Sequence, residues 1–340
     1  MSKIIFVVDD NDSNLLVAEA ALERHHRVIT MTSAARMFIL LDKIRPDLIL
    51  LDIKMPGMDG IEALRRLKKN PLYEDIAVMF VTGVSDTSAE AAQGFQLGAV
   101  DFVTKPYSPA VLLNRIQTHL DIDRLIRERT AQLWRMKTGI VSVMAELVES
   151  RDSIPGGHIE RTTVFVKLLI DALTERGLYE EEINEWDQDM VISSSRLHDI
   201  GKITVSDIIL NKPGKLTVEE FDHIKLHTTE GERIINQMAA ETDEGAFFSN
   251  ALIFAAYHHE RWDGGGYPRG TKGKETPLQG RIMAIADVYD ALVSKRPYKD
   301  PFPPDKAEGI IMGDAGTHFD PELARVFYEI RDQFRAVLTA

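Results

Sequence analysis

Seven residues in the C-terminal half carry the donor atoms of a metal site: His158, His198, Asp199, His227, His258, His259 and Asp287. Taken alone, each histidine is more often a satisfied core or surface residue than a ligand. Their settings shift that balance. His198-Asp199 ends the apolar run Met190 to Leu197, His258-His259 follows Ala251 to Tyr257, and Asp287 is embedded in Ile282 to Val293. An unpaired carboxylate is costly in such surroundings, and a bound cation removes the cost. Five imidazoles and two carboxylates exceed the needs of one tetrahedral ion, so the set predicts two ions bridged by a carboxylate, with Asp199 as the bridge. Paired ions about 3.5 to 4 Å apart stabilise both the attacking and leaving oxygens of an in-line displacement at phosphorus. The reaction class is therefore phosphoester hydrolysis. His223, four residues before His227, is read as a solvated neighbour, and His25, His26, His119 and His318 as ordinary histidines.

A second constellation lies in the N-terminal half. Asp9 and Asp10 follow the apolar run Ile4 to Val8, Asp52 follows Leu48 to Leu51, Thr82 follows Ala77 to Val81, and Lys105-Pro106 follows Val100 to Val103. Three carboxylates meeting at one edge repel unless a hard divalent ion neutralises them, and Mg²⁺ suits an all-oxygen site. A carboxylate beside Mg²⁺ can act as a nucleophile toward phosphorus. A single Asp more often caps a helix or loop. Five such polar residues at strand ends are not explained that way.

The elements that must present these residues differ between the halves. From Lys3 to about Leu120, short apolar runs alternate with amphipathic stretches, the beat of βα units around a buried parallel sheet, whose ligands gather beyond the carboxyl ends of the strands. After Thr138 helical patterns take over: Thr163 to Leu173, Ile183 to Leu197, Val218 to Met238 and Gly280 to Val293. Thr217 with Glu220 forms a capping-box pattern ahead of Phe221. Between the halves, Ile122, Ile126, Arg129, Leu133, Met136, Ile140, Val143 and Leu147 recur at steps of four and three. That stripe fits a parallel coiled coil that makes a homodimer, and equally one long helix packed on the following domain. The fold class is thus multidomain: a doubly wound α/β unit with a five-stranded parallel sheet over 1–122, a helical linker over 123–145, and an all-α hydrolase domain over 146–340.

Composition narrows the setting. A chain of 340 residues with 44% apolar and 27% charged residues is expected to fold as about two globular domains. With no cysteine, any metal is held by imidazole and carboxylate rather than thiolate, and a reducing, cytoplasmic compartment is expected. The run Ile4 to Val8 is too short for a signal sequence or a membrane span. A net charge of -13 argues against DNA binding and against attachment to an anionic membrane.

Two resemblances follow from these motifs. VVDD at 7–10, LLDIKMPGMDG at 50–60, VTG at 81–83 and DFVTKP at 101–106 resemble a response-regulator receiver domain. The resemblance implies phosphorylation of Asp52 by a histidine kinase, Mg²⁺ at Asp9, Asp10 and Asp52 with help from the Lys54 carbonyl, and sensing of the phosphoryl group by Thr82 and Lys105. Phe102 takes the switch-aromatic position, and Lys105-Pro106 the family's usual cis peptide. HDIGK at 198–202, HHERWDGGGYP at 258–268 and RIMAIADVYDALVSKRPYK at 281–299 resemble the HD-GYP phosphodiesterases, with further matches at GGHIER, KPGKL and GTHFDPEL.

That second resemblance implies hydrolysis of cyclic di-GMP to the linear dinucleotide pGpG and, in some members, to GMP. Residue by residue it assigns His198, Asp199, His227, His258, His259 and Asp287, with His158, to the metals. Lys202 is assigned to the leaving oxygen, and Tyr267, Asp290, Arg296 and Lys299 to substrate contact. Tyr267 could equally belong to a purely structural turn with Gly264 to Gly266. Ile154 stands where three-metal members carry glutamate, which favours two ions; iron or manganese suits the donor set, and zinc or nickel would bind on affinity grounds. Two other readings stay open: a cyclic-dinucleotide-responsive adaptor with little turnover, meeting partners such as GGDEF-type proteins through its GYP loop, and an HD-class hydrolase preferring another nucleotide such as pGpG.

Overall fold

The structure is a computed structural model that describes residues 2–83, 88–151, 157–295 and 300–339. Cα packing divides the chain into two units, 1–133 and 134–340.

The first unit is a parallel sheet of β1 (Ile4–Val8), β2 (Arg27–Met31), β3 (Leu48–Asp52), β4 (Ala77–Thr82) and β5 (Asp101–Thr104), in the order β2-β1-β3-β4-β5. Side chains alternate between its two faces. Ile5, Val7, Leu48, Leu50, Met79 and Val81 pack on Leu15, Ala18 and Leu22 of α1 (Asp12–Leu22) and on Leu112 and Ile116 of α5 (Pro109–Glu149). Phe6, Val8, Ile49, Leu51, Val78 and Phe80 pack on α2 (Ala34–Leu41) and α3 (Gly60–Lys69). Coverage on both faces is why β3 reads as an unbroken apolar run. The first three helices start where sequence chemistry places them: Asn11, Ser33 and Asp59 each accept a backbone N–H of the first turn. The α4 helix (Ser88–Gln96) completes the unit.

The second unit is helical: α6 (His158–Glu175), α7 (Glu180–Ile183), α8 (Gln188–Ser194), α9 (Asp207–Leu210), α10 (Val218–Lys225), α11 (His227–Ala240), α12 (Gly245–Tyr257), α13 (Leu278–Val293), α14 (Pro304–Gly313), α15 (Pro321–Glu329) and α16 (Arg331–Val337). Phe165 and Leu169 of α6 meet Ile282, Ile285 and Tyr289 of α13, with Phe327 and Phe334, in the main core. A smaller core joins Val141 and Val148 of α5 to Leu197, Ile235, Phe247 and Ala251. The opposite stripe of α5, Ile122, Ile126, Leu133, Met136, Ile140, Val143 and Leu147, is exposed along its length.

Two long helical patterns are broken. Ile183 to Leu197 divides where Asp187 caps α8 by accepting the Met190 N–H. Val218 to Met238 divides at Leu226, because α10 buries no side chain while α11 buries His227, Thr228, Gly231 and Ile235. One straight helix cannot serve both environments. The capping box is present, with Glu220 N–H on Thr217 Oγ1 at 3.2 Å and Thr217 N–H on Glu220 Oε2 at 2.7 Å.

Candidate metal centre and acid pocket

His198 and Asp199 stand at the junction of two short 3₁₀ turns, Ser195–Leu197 and Ile200–Thr204. This tight path suits the chain because residue 201 is glycine: a Cβ there would lie 1.9 Å from the His227 carbonyl oxygen. His158 and His227 open α6 and α11, His258 caps the C-terminus of α12, and Asp287 projects from α13. Except for Asp287 in mid-helix, these residues come from helix ends and turns, and backbone carbonyls there orient three of the imidazoles. The Nδ1 of His198 donates to Ser195 O (3.0 Å), that of His227 to Ile224 O (2.7 Å) and that of His258 to Phe254 O (2.9 Å). Each bond fixes a tautomer whose Nε2 lone pair faces the site.

The donor atoms form two groups that share one carboxylate. Asp199, His227, His258 and His259 make one, and His158, His198 and Asp199 the other; within each, the donor atoms lie within 4.8 Å of one another. Asp199 Oδ1 is 3.3 Å from His227 Nε2 and 3.6 Å from His258 Nε2, while Oδ2 is 3.5 Å from His198 Nε2 and 2.7 Å from Lys202 Nζ. Asp287 reaches within 3.7 Å of His158 Nε2. Three of these atoms, His158 Nε2, His198 Nε2 and Asp199 Oδ1, are buried without a hydrogen-bond partner. Buried polar atoms left unpaired are costly, and a shared cation satisfies all three. The residues present fit a divalent metal centre.

Protonation states agree with that fit. Burial lowers His198 and His227 to about 4, against the opposing pull of Asp199, and lowers His259 well below the usual imidazole range. These rings are neutral donors at pH 7. Burial disfavours charge on Asp199 as well, but Lys202 and the surrounding imidazoles outweigh it and hold the carboxyl well below its ordinary value. His158 moves the other way: burial lowers it, but Asp290, Asp287 and Asp199 outweigh burial and raise its pKa.

Asp290 departs from the expectation of substrate contact. It is 1% exposed, its Oδ2 accepts from His158 Nδ1 at 2.8 Å, and Arg161 reaches both of its oxygens at 2.6 and 3.0 Å. Both of its oxygens are engaged beneath α6, a placement suited to orienting the His158 imidazole. Arg296, Lys299 and Ile154 lie outside the described residues.

Tyr267 does reach the centre. Its ring lies 4.7 Å from His259, and burial together with Asp199 and Asp287 raises its pKa, so its hydroxyl remains a donor. His223 is exposed and is in neither group of donors.

Three supporting residues escaped sequence reasoning. Glu149, at the end of α5, is buried and accepts the His158 N–H at 3.1 Å. Arg151 donates to Ile203 O (2.6 Å) and Val205 O (3.0 Å), tying down the turn that follows Asp199. Glu260 accepts the N–H groups of Arg269, Gly270 and Thr271 and closes the loop bearing Tyr267. Only Glu260 had a sequence signal, being a charged residue adjoining a ligand pair.

In the first unit, Asp9, Asp10 and Asp52 gather their oxygens at the edge where strand order reverses between β1 and β3. Gly60 permits this approach, since a Cβ there would stand 2.3 Å from the Asp52 carbonyl oxygen. Lys105 Nζ lies 2.6 Å from Asp9 Oδ2 and 2.9 Å from Asp52 Oδ2. Burial raises the Asp52 pKa, Lys105 opposes it, and Asp9 and Asp10 add to it. Thr82 is buried at the end of β4, and its carbonyl accepts the Lys105 N–H at 2.7 Å. Phe102 is partly exposed, edge-on to Phe95 at 5.7 Å, and the Lys105-Pro106 peptide is cis.

Comparisons with known proteins identify both halves of the chain. Residues 5–117 match the family model of the response regulator receiver domain, and residues 142–323 that of the HD domain. A probable cyclic di-GMP phosphodiesterase of Vibrio cholerae is 38% identical over 340 residues, spanning 95% of this chain and 76% of the relative. The cyclic di-GMP phosphodiesterase response regulator RpfG of Xanthomonas campestris pv. campestris is 33% identical over 307 residues, 86% of this chain and 78% of the relative. A 3'3'-cGAMP-specific phosphodiesterase of Vibrio cholerae is 38% identical over 198 residues, 58% of this chain and 35% of the relative. With a receiver followed by an HD domain, and relatives that align along most of its length, the chain belongs to the family of response-regulator phosphodiesterases with an HD output domain.

Proposed function

We propose that this phosphodiesterase acts on cyclic di-GMP at a centre of two divalent ions, iron or manganese, under control of phosphorylation at Asp52. The observation that carries the reading is Asp199, one carboxylate common to two ligand sets, with buried imidazole nitrogens beside it that have no protein partner. When bound, the two ions polarise the phosphoryl oxygens and make water a better nucleophile. Water's oxygen bonds to phosphorus as the bond to the ribose oxygen breaks; Lys202 gives that leaving oxygen its proton, and the proton released by the water passes to solvent, from which the lysine is reprotonated. The Tyr267 hydroxyl donates to a phosphate oxygen, and Arg296 with Lys299 neutralises the phosphate. The product is linear pGpG, with GMP the product of a second cut.

In the receiver, Mg²⁺ bound by Asp9, Asp10 and Asp52 supports phosphoryl transfer from a histidine kinase, with Lys105 and Thr82 holding the phosphoryl oxygens and Phe102 responding. The exposed apolar stripe of α5 favours the coiled-coil homodimer over a packed helix. Similarity to a cGAMP-specific relative favours a second substrate reading, a mixed cyclic dinucleotide. Incubating the manganese- or iron-loaded chain with cyclic di-GMP, 3'3'-cGAMP and pGpG, with metal analysis on the same sample, tests both. The proposal expects the fastest turnover on cyclic di-GMP; metal-loaded protein that binds it without forming product would overturn the reading in favour of an adaptor.

A further inference from the structure

The helix that leads into the metal ligand His227 has an unusual surface. α10 buries none of its side chains, yet it exposes Val218 and Phe221, and Leu226, which follows it, and Ile208 of the contacting α9 are exposed too. Exposed apolar side chains gathered next to a reaction centre mark a candidate ligand contact. Phe221 remains 45% exposed although its ring lies 6.3 Å from that of Tyr267, which itself lies 4.7 Å from His259. One helical turn on, Lys225 Nζ stands 4.7 Å from the Phe221 ring centre and 5.9 Å from that of Tyr267, and pairs with Asp222 at 2.7 Å. An aromatic face and an ammonium thus adjoin the site where a phosphodiester would be cut.

Those are the groups that take a purine. Bases stack on aromatic rings, and losing one such ring costs roughly five- to a hundredfold in affinity. Lysine donates to the O6 and N7 acceptors of guanine, whereas adenine carries an amino donor in place of O6. We propose that Phe221 and Lys225, with Tyr267, form the subsite for one guanine of the cyclic dinucleotide, Phe221 by stacking and Lys225 by selecting guanine over adenine. This deepens the function proposed above and rests on it.

The test uses the full, manganese-loaded chain with cyclic di-GMP, cyclic di-AMP and a cyclic dinucleotide carrying 2-aminopurine, whose fluorescence is quenched on stacking. Phe221→Ala and Phe221→Leu are expected to raise KM for cyclic di-GMP about tenfold and to abolish quenching at unchanged manganese content, while Phe221→Trp retains both. Lys225→Gln is expected to narrow the preference for cyclic di-GMP over cyclic di-AMP about tenfold. Wild-type KM and quenching in Phe221→Leu would overturn the subsite, as would absence of quenching in the wild-type protein. Failure of the functional reading is distinct: the wild-type chain would leave cyclic di-GMP uncut, while quenching and its loss in the Phe221 variants would still report on the subsite.

Discussion

The acid pocket and the metal centre are both built on aspartate, yet they meet the cost of gathered charge in opposite ways. In the receiver, straight parallel strands deliver Asp9, Asp10 and Asp52 to one edge, and a resident cation, Lys105, already spans two of them at 2.6 and 2.9 Å. In the HD domain helix ends, 3₁₀ turns and the middle of α13 deliver the donors. Lys202 pairs with Asp199 Oδ2, leaving Oδ1 and two imidazole nitrogens buried without partners. The first site is therefore offset in part by the protein, one lysine against three carboxylates. The second is incomplete until ions complete it.

The sharpest way to break this contrast is to remove one aspartate from each centre. Asp199→Ala is expected to empty both metal positions and to reduce hydrolysis by far more than the roughly 10- to 100-fold cost of losing a residue that only orients a ligand. Asp52→Asn is expected to leave metal content intact while abolishing any change in activity or association on adding beryllofluoride. Metal analysis with product assays checks both. Retention of metal in Asp199→Ala would remove the bridge, and with it the distinction. Next in size, Lys202→Ala is expected to lower turnover by about 10²- to 10⁴-fold with the metals in place, because the lysine serves the leaving oxygen; loss of metal there would recast Lys202 as a support for Asp199.

Legibility followed the same divide. The receiver strands could be read almost to the residue, because a sheet buried on both faces writes its strands as apolar runs and its ligands must follow their carboxyl ends. The metal ligands were readable as polar residues in apolar surroundings, but their supports were not. Glu149 and Arg151 act through backbone groups of His158, Ile203 and Val205, contacts that leave no spacing rule behind. The break at Leu226 was hidden because α10 and α11 each keep helical periodicity and differ only in what lies against them. The surroundings of Asp290 were hidden for a related reason: one turn from Asp287 it belongs to the same motif, and only the packing of α6 shows that it faces His158 and Arg161.

Acid should expose the incompleteness of the second centre. In metal-free protein the folded chain refuses protons at His198 and His227 down to about pH 4, whereas the unfolded chain accepts them near 6.5. Their contribution to stability is fully present above pH 6.5 and is lost as pH falls toward 4, on the order of 3 kcal/mol for each histidine. His158, raised above its usual value, contributes oppositely, with stability present below 6.5 and lost as pH rises through its folded value. The expected net result is a melting temperature of the metal-free protein that falls between pH 6.5 and 4. A flat profile would mean that these rings are not held neutral.

The smallest effect discriminates most finely. Asp290→Asn keeps the shape beneath His158 but removes the charge that favours its imidazolium and supports its basicity. If Asp290 acts through the ligand, metal affinity falls about tenfold, the ion on the His158 side is lost first in chelator titrations, and KM measured at saturating metal is unchanged. Substrate contact makes the reverse prediction, a raised KM with normal metal retention. The former is expected, since Arg161 at 2.6 and 3.0 Å and His158 at 2.8 Å occupy both oxygens. A chelator titration of this variant thus measures whether the protein prepares its ligands before the ions arrive, as Lys105 prepares Asp9 and Asp52 in the other domain.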